Sequence, residues 1–453
     1  MQSKLRKKKR RSVSISRVIA LTFLGIILLG AAILNLPVSS RDGRSAGALI
    51  SLFTATSATC VTGLTLRDTW TQWSGLGQIV ILIMIEIGGL GFMSAASLAY
   101  FSLKRKISIQ QQMVMAEAIG IQNMGDVIEH QKRLLYRAFI VEGLGALLLT
   151  MRFAREYSFL QSLKLGVFHA VSAFCNAGFD ILGFRSPGSS MALYQKDPFV
   201  CLTLSGLVIL GGLGFLVWDD ILRKKKPSKW SVYTKLVVLT SGALLALGTV
   251  VIAAVEWNNP ATMGSFSFLE KILASFFQSM TLRTAGFAAL DQGAMTPAGK
   301  GFSMFLMLIG GSSGSTAGGL KTVTFVVLLM FLWNRMRGNY TVRVFHRTVT
   351  DDHVMNAIMI FILMISLAFF SALLVCATSP MDLTDALYES ISAVGTVGLS
   401  AGGTARMSWP AQVLIMLLMY FGRVGVLTIS MGFLKKKPAG ENYRYANVDL
   451  LIG

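Results

Sequence analysis

Charged residues are scarce in this chain, and the scarcity excludes an ordinary soluble domain. Only 14% of its 453 residues are charged, while 53% are hydrophobic; a soluble domain carries about 25% charged residues. Long apolar runs account for the difference, and the mean hydropathy is +0.61. The composition predicts a polytopic membrane protein of the all-α class, for which the lipid bilayer is the surrounding medium.

Histidine and cysteine are also few, which argues against a metal centre or a disulfide framework. The four histidines are scattered, and the four cysteines show no paired CxxC spacing. The glycine runs follow no predicted strand of a βαβ unit, so they form no nucleotide-binding fingerprint. We therefore expect neither an enzyme nor a tightly bound cofactor.

Acidic residues are outnumbered by basic ones, 22 to 42, which gives a net charge of +20. Nucleic-acid binding is one explanation, but the basic residues cluster beside the apolar runs, as the positive-inside rule describes. We therefore expect no nucleic-acid partner and assign the clusters to the cytoplasmic side. They follow the N-terminus and every second apolar segment, at residues 4–11, 104–106, 223–229, 335–347 and 435–437.

Eight apolar segments are long enough to cross a bilayer, which takes about 20 residues. They cover residues 16–36, 75–101, 132–152, 197–222, 232–255, 300–334, 354–377 and 409–433. Four stretches between them are too short to span and predict re-entrant helices: 45–58, 160–174, 266–280 and 383–394. An even number of spans places both termini on the same side, and the basic clusters identify that side as the cytoplasm. We therefore expect a multi-pass plasma-membrane protein. Its first apolar run is long for a cleaved signal peptide and predicts an uncleaved span.

Two short motifs recur four times in register, which indicates an internal repeat. The re-entrant stretches end in "ATCVTGLT", "AFCNAGFD", "TLRTAGFA" and "AVGTVGLS", which share Gly63, Gly178, Gly286 and Gly398. These glycines are separated by 115, 108 and 112 residues, and each following span carries "IGGLGF", "LGGLGF", "IGGSSG" or "FGRVGV". The predicted unit is a span, a short pore helix, a glycine loop and a second span.

The repeats define the expected domain organisation. Pore repeats cover residues 16–101, 132–222, 232–334 and 354–433, with linkers at 102–131, 223–231 and 335–353 and tails at 1–15 and 434–453. Four parallel copies can close around a pseudo-fourfold axis on which the glycine loops meet. The linkers are too short for a regulatory domain.

Irregular backbone at membrane depth must be buried in protein or line water, and a ring of loop carbonyls on the axis can replace the hydration shell of an ion. Glycine lets carbonyls point inward in succession, and the short helices aim the negative ends of their dipoles at the same place. We therefore expect the loops to bind a weakly hydrated monovalent cation. The candidate ion-binding residues are Thr59, Cys60, Val61, Thr62, Gly63, Cys175, Asn176, Ala177, Gly178, Arg283, Thr284, Ala285, Gly286, Gly395, Thr396, Val397 and Gly398.

This arrangement resembles the Ktr/Trk/HKT superfamily of potassium transporters over nearly the whole chain, and eight spans look most like the Ktr membrane subunit. The resemblance implies potassium permeation, a homodimer and a cytosolic ring of nucleotide-binding regulatory subunits. Gly63 matches the potassium-selective pattern, whereas some sodium-selective plant relatives have serine there. A sodium-selective or sodium/potassium transporter of the same fold and, from a different class, a secondary transporter of organic solutes stay open, as does activation by sodium.

The sixth span is interrupted by ten residues, 310–319, that include five glycines, three serines and a threonine. No stable helix favours that composition. We expect a gating loop below the filter; the alternative is a static kink at a crowded helix interface. Its residues are Gly310, Gly311, Ser312, Ser313, Gly314, Ser315, Thr316, Ala317, Gly318 and Gly319.

Three charged residues are assigned to the same gate. Arg423 lies 12 residues before Lys435, about 18 Å up a helix from the cytoplasmic end, which is too far to snorkel comfortably. We expect it to face the gating loop as a positive barrier, with Glu86 as a candidate counter-ion or as its partner in a purely structural pair. Lys321 either clamps the lower end of the loop or snorkels to the cytoplasm.

Overall fold

The computed structural model describes residues 15–91, 127–339, 341–345 and 347–425. Outside the described residues lie almost all of the predicted tail 1–15, most of the linker 102–131, the ends of repeats 1 and 4, and the tail 434–453.

Each repeat contains a long leading helix, a short re-entrant helix and a trailing helix. The leading helices are Ile15–Leu34, Val127–Phe153, Val232–Glu256 and Asp351–Thr378. The re-entrant helices are Ala48–Thr59, Phe159–Phe174, Phe268–Thr281 and Leu383–Gly395. The trailing helices are Gly75–Leu90, Pro198–Leu213 continued by Phe215–Arg223, Pro297–Leu308 continued by Thr322–Met336, and Trp409–Val424.

Smaller elements join these helices. A four-residue helix, Thr69–Gln72, and the 3₁₀ turns Pro37–Ser39, Ser190–Tyr194 and Thr404–Arg406 lie in the connections that follow leading or re-entrant helices. A further turn, Pro227–Lys229, and an antiparallel pair of two-residue strands, Arg343–Val344 and Arg347–Thr348, lie in the linkers between repeats.

The four leading helices form the outside of the molecule. All four are long and apolar enough to cross a membrane, yet only 28–39% of the residues in their apolar windows are buried. Large apolar side chains such as Leu29, Leu144, Val250 and Phe370 are therefore exposed. A surface of this kind is stable only against lipid, so the fold is that of an all-α protein embedded in a bilayer.

The repeats close into a ring through one recurring contact. Within a repeat, the re-entrant helix packs mainly on its own leading helix. Between repeats, the trailing helix of one repeat packs on the re-entrant helix of the next, and the trailing helix of repeat 4 packs on the re-entrant helix of repeat 1. The same contact made four times gives four parallel span–re-entrant helix–span units around a pseudo-fourfold axis.

The trailing helices are not the uninterrupted spans that the sequence predicts for repeats 1, 2 and 4. They end at Leu90, Leu213 and Val424, and the next residue is in each case a glycine with φ between 83° and 91°. In repeat 2 the following helix turns away by 94°. The last glycine of each motif permits this break, because other residues are strained at such a φ.

The first glycine of the same pattern lets a trailing helix approach the re-entrant helix of its own repeat. A Cβ on Gly88, Gly211 or Gly422 would collide with the carbonyl oxygen of Thr59, Phe174 or Val394, at the end of that helix. The glycines therefore fix the depth at which each re-entrant helix ends.

Replacing Gly211 with alanine should destabilise the fold, since the new methyl group meets backbone that cannot move aside. We expect a loss of the order of 1–3 kcal/mol, typical of overpacking, measured as a lower midpoint of thermal unfolding in detergent.

Gly206 is the matched control, because it lies on the same helix and a Cβ there meets nothing within 4 Å. Gly206→Ala should leave the midpoint unchanged or slightly raised. Equal midpoints for both variants would show that the close approach at Gly211 does not matter.

Candidate functional site

The four loops that follow the re-entrant helices, residues 59–63, 175–178, 283–286 and 395–398, meet at the centre of the ring; we call them the central loops. A Cβ on Gly63 would lie 2.5 Å from the carbonyl oxygen of Ala177, and one on Gly178 would lie 2.7 Å from that of Ala285. A Cβ on Gly286 would likewise lie 2.5 Å from the Val397 oxygen. A Cβ on Gly398 would collide with the carbonyl oxygen of Thr62 in repeat 1, which completes the ring.

The backbone of the central loops has the same unusual conformation in every repeat. The residue two positions before each shared glycine is left-handed, with φ between 51° and 63°: Val61, Asn176, Thr284 and Thr396. Non-glycine residues rarely adopt this conformation, and they do so mainly where the surrounding structure requires it. Each shared glycine also has a positive φ, from 67° to 96°.

The amide groups of the central loops point back at the re-entrant helices. Thr62 N donates to Ser57 O at 2.8 Å, and Ala177 N donates to Ser172 O at 2.7 Å. Ala285 N and Val397 N make the corresponding bonds to Thr281 O, 3.0 Å, and Ser392 O, 2.8 Å. With the amides directed outward, the carbonyls are left facing the ring.

These carbonyl oxygens are acceptors to which the described part of the chain supplies no donor. No donor among the described residues bonds to the carbonyls of 60–62, 175–177, 283–285 or 396–397, although most of these residues are buried. Buried carbonyls are nearly always paired, so a convergent set of unpaired ones requires water or a cation as partner. The re-entrant helices add the negative ends of their dipoles at the same level.

The predicted site residues that flank this ring are placed as follows. Thr59 and Gly395 are the last residues of their re-entrant helices. Cys60 and Cys175 are buried, as expected for small neutral side chains. The Arg283 side chain turns away from the ring to the leading helix of repeat 3, where its guanidinium donates to Ser241 O and Ser241 Oγ, both at 3.3 Å.

Residues 309–321, between the two halves of the third trailing helix, form an irregular segment directly under the central loops. Thr316 Oγ1 donates to Phe174 O at 3.1 Å and lies 3.0 Å from the Asn176 side-chain amide. A Cβ on Gly318 would collide with Thr396, and one on Gly319 would lie 3.0 Å from Gly395 O. The segment thus crosses from repeat 2 to repeat 4 beneath the ring.

Hydrogen bonds fix the ends and the edge of this segment. Gly310 N donates to Leu320 O at 2.9 Å, which joins its two ends. Ser312 N donates to Gly212 O at 3.1 Å, and the Ser312 hydroxyl bonds Leu213 O at the break of the second trailing helix. At the exposed edge, Tyr233 OH donates to Ser313 O at 2.8 Å.

Lys321 clamps the lower end of the segment, which is the first of the two predicted alternatives. Its Nζ donates to Ala317 O at 2.7 Å.

Arg423 contacts the loop as predicted, but its partner is not Glu86. Its guanidinium donates to the carbonyls of Thr316, in the loop, and of Gly88 and Gly89, in the first trailing helix. The prediction of a Glu86 counter-ion was wrong because the helix end at Gly91 frees carbonyls of its last turn, and these accept from the guanidinium. Arg423 therefore ties the loop to repeats 1 and 4.

Glu86 instead faces Glu142, on the second leading helix, and Cys175, in a central loop. One ligand atom from each of the three lies within 4.8 Å of the others, with the Cys175 thiol 3.5 Å from Glu86 Oε2. Two oxygens and a sulfur form a donor set that a divalent transition metal can use. The sequence does not single out Glu142, since its only signal is an acidic residue inside an apolar span.

A carboxyl group also lies close to the second central loop. Asp180 follows the second central loop and accepts a hydrogen bond from Leu182 N at 3.1 Å. Burial, together with a smaller contribution from the nearby negative charge of Asp68, raises the pKa of Asp180 to about 6. This group therefore gains its negative charge only as the pH rises through about 6.

Residues 4–445 match the TrkH family, described as "Cation transport protein". The chain belongs to this family. It is 38% identical over 99% of both chains to the "Potassium/sodium uptake protein NtpJ" of Enterococcus hirae. It is 35% identical, over 96% of both chains, to the "Ktr system potassium uptake protein B" of Bacillus subtilis and 36% identical, over 96% of this chain and 94% of the other, to that of Vibrio alginolyticus.

The fold is shared with a solved member of the same family. The crystal structure of the potassium transporter TrkH from Vibrio parahaemolyticus superposes with a TM-score of 0.73 at 16% identity, over 95% of this chain and 87% of that one. The TrkH-family assignment makes this chain an ion transporter of the membrane and not an enzyme, and it confirms the resemblance drawn from the glycine motifs.

If Arg423 holds the loop in place, its removal should make the loop accessible. In a Cys376→Ser background, where the remaining cysteines are buried, we expect Arg423→Ala to raise the thiol-labelling rate of Ser315→Cys at least about fivefold, because the loop loses the bond at Thr316 O that ties it to the first trailing helix.

Arg406→Ala is the control, since Arg406 is exposed on the connection before the last trailing helix. It should not alter the rate. An Arg423→Ala protein that labels as slowly as its parent would mean that the loop is held by its other bonds alone.

Proposed function

We propose that the chain is the pore subunit of a potassium-uptake system and that the central loops are its selectivity filter. The observation that carries this proposal is the set of inward-facing carbonyls from four repeats to which the described part of the chain supplies no donor. Such oxygens can replace the hydration shell of a permeating cation. The ligands are backbone oxygens of residues 59–63, 175–178, 283–286 and 395–398.

A monovalent, weakly hydrated cation suits this ring best. The ligands are neutral carbonyls rather than carboxylates, so the attraction is too weak to strip a strongly hydrated divalent ion. The names of the relatives from Bacillus subtilis and Vibrio alginolyticus support potassium. The ion is cargo, and no resident cofactor is required.

Sodium permeation is the second candidate, and a specific observation favours it. The relative from Enterococcus hirae is named for both potassium and sodium. Each central loop also has a single shared glycine with different neighbours in each repeat, so the ring is less uniform than four identical chains would make it. Sodium is then either a second permeant ion or an activator.

The segment 310–319, with Arg423 and Lys321, acts as the gate in this proposal. It crosses the path directly below the filter and is held by a few hydrogen bonds to carbonyls. Its glycines permit a second conformation at low cost. Opening requires that the Arg423 bonds break and that Thr316 leaves Asn176.

Partners and orientation complete the proposal. The chain functions in the plasma membrane with both termini in the cytoplasm, as a homodimer on a cytosolic ring of nucleotide-binding regulatory subunits. The "Ktr system" names of two relatives support a multi-component assembly. The short linkers support a separate sensor polypeptide.

Uptake of potassium, rubidium and sodium into liposomes containing the purified chain tests the function, with a panel of amino acids as the alternative substrates. Gly178→Ala should reduce rubidium uptake at least tenfold, because its methyl group enters the ring and meets Ala285 O and the Gly286 backbone.

Gly188→Ala is the matched control, because Gly188 has a similar φ of 74° but a Cβ there meets nothing within 4 Å. Both variants carry the same backbone strain, so only the obstruction differs. If Gly178→Ala transports as well as Gly188→Ala in assembled protein, the central loops are not the filter.

Replacing Arg423 with alanine should raise cation uptake several-fold, because the variant removes both a positive charge below the filter and the anchor of the gate. Initial rates of rubidium uptake at equal protein density measure this. Unchanged uptake in an assembled variant removes Arg423 from the mechanism.

A further inference from the structure

Arg283 is the one charged residue within the central loops, and its charge has no carboxylate partner in the part of the chain that the structure describes. The same register position holds Cys60, Cys175 and Gly395 in the other repeats. Its guanidinium is held by two neutral oxygens of Ser241, and its Nε is buried without a partner. The full positive charge is therefore retained beside the ring.

The surroundings of the guanidinium do not supply a counter-charge. It borders a cavity of about 30 Å³, which has room for about two water molecules. The other residues around this cavity are neutral; they include Asn176 from the next central loop, Ser241, and Gly311 from the gate segment. The charge thus lies beside a small cavity that the second central loop and the gate segment also border.

The position also changes the electrostatics of one quarter of the ring. Each re-entrant helix brings about half a negative charge to its C-terminal end. In repeat 3 that helix ends at Thr281, two residues before Arg283, so the positive side chain opposes the dipole. The attraction for cations therefore comes from three repeats and is opposed by the fourth.

We propose that Arg283 sets the valence selectivity of the pore by repelling divalent cations from the lower filter. This inference rests on the proposed function. At equal distance, a divalent ion is repelled twice as strongly as a monovalent one. A difference of about 1.4 kcal/mol in this repulsion corresponds to a tenfold change in relative occupancy.

The test is inhibition of rubidium uptake by barium, with the full-length chain in liposomes. Barium is close in size to potassium but carries twice the charge. Arg283→Gln should lower the half-inhibitory barium concentration about tenfold, while Arg283→Lys, which retains the charge, should stay within twofold of the parent.

A second pair of variants tests the charge without removing the arginine. Ser241→Asp places a carboxylate beside the guanidinium and should raise barium sensitivity in the same direction, whereas Ser241→Asn should not. This pair keeps the test decisive if Arg283→Gln fails to assemble.

The possible results separate the two proposals. Barium sensitivity that stays within twofold of the parent in both Arg283→Gln and Ser241→Asp overturns the role of Arg283 while potassium uptake stands. Equal sensitivity of Arg283→Lys and Arg283→Gln also overturns it, since shape rather than charge would then matter. A parent protein that takes up no alkali cation and is not thermally stabilised by one refutes the filter itself, and this inference with it.

Discussion

The structure depends on one constraint, which is that backbone polar groups inside a bilayer must find partners. Helices satisfy this constraint within themselves, and here the leading helices form the lipid-facing surface. The four central loops are irregular at membrane depth, so they are possible only because the repeats surround them. Their amides bond back to the re-entrant helices, and this leaves the carbonyls for the centre. The proposed cation binding follows from the direction in which the unpaired carbonyls point.

Breaks in the trailing helices provide the second layer of the site. A helix that ends exposes carbonyls of its last turn, and these ends lie just below the central loops. Arg423 donates hydrogen bonds to two such carbonyls in repeat 1, and the 309–321 segment bonds to the end of the second trailing helix. The 309–321 segment is therefore held by groups that the helix breaks themselves release. The helix break in one repeat and the helix breaks in its neighbours therefore stabilise each other through these hydrogen bonds.

Recurrence made the outline of this fold predictable from the sequence. The four shared glycines and the four re-entrant stretches were located to within a few residues, because two motifs repeat in register. The breaks at Gly91, Gly214 and Gly425 were missed, because a single glycine in an apolar run costs a helix only about 1 kcal/mol and does not by itself end it.

The partners of Arg423 were missed for a related reason. From the sequence, a buried arginine is expected to pair with a carboxylate. The Arg423 guanidinium instead donates to backbone carbonyls that would be bonded within a continuous helix. Glu142 could not be linked to Glu86 and Cys175, because the three residues lie in different repeats or elements and nothing in their spacing connects them.

The four quarters of the ring belong to one polypeptide, although they share a common architecture. A channel assembled from four identical subunits must place the same residue four times at every level of its pore. Here one level holds two cysteines, an arginine and a glycine. In such a chain, one substitution changes only one quarter of the permeation path. The path can therefore include a residue that would not be tolerated in four copies.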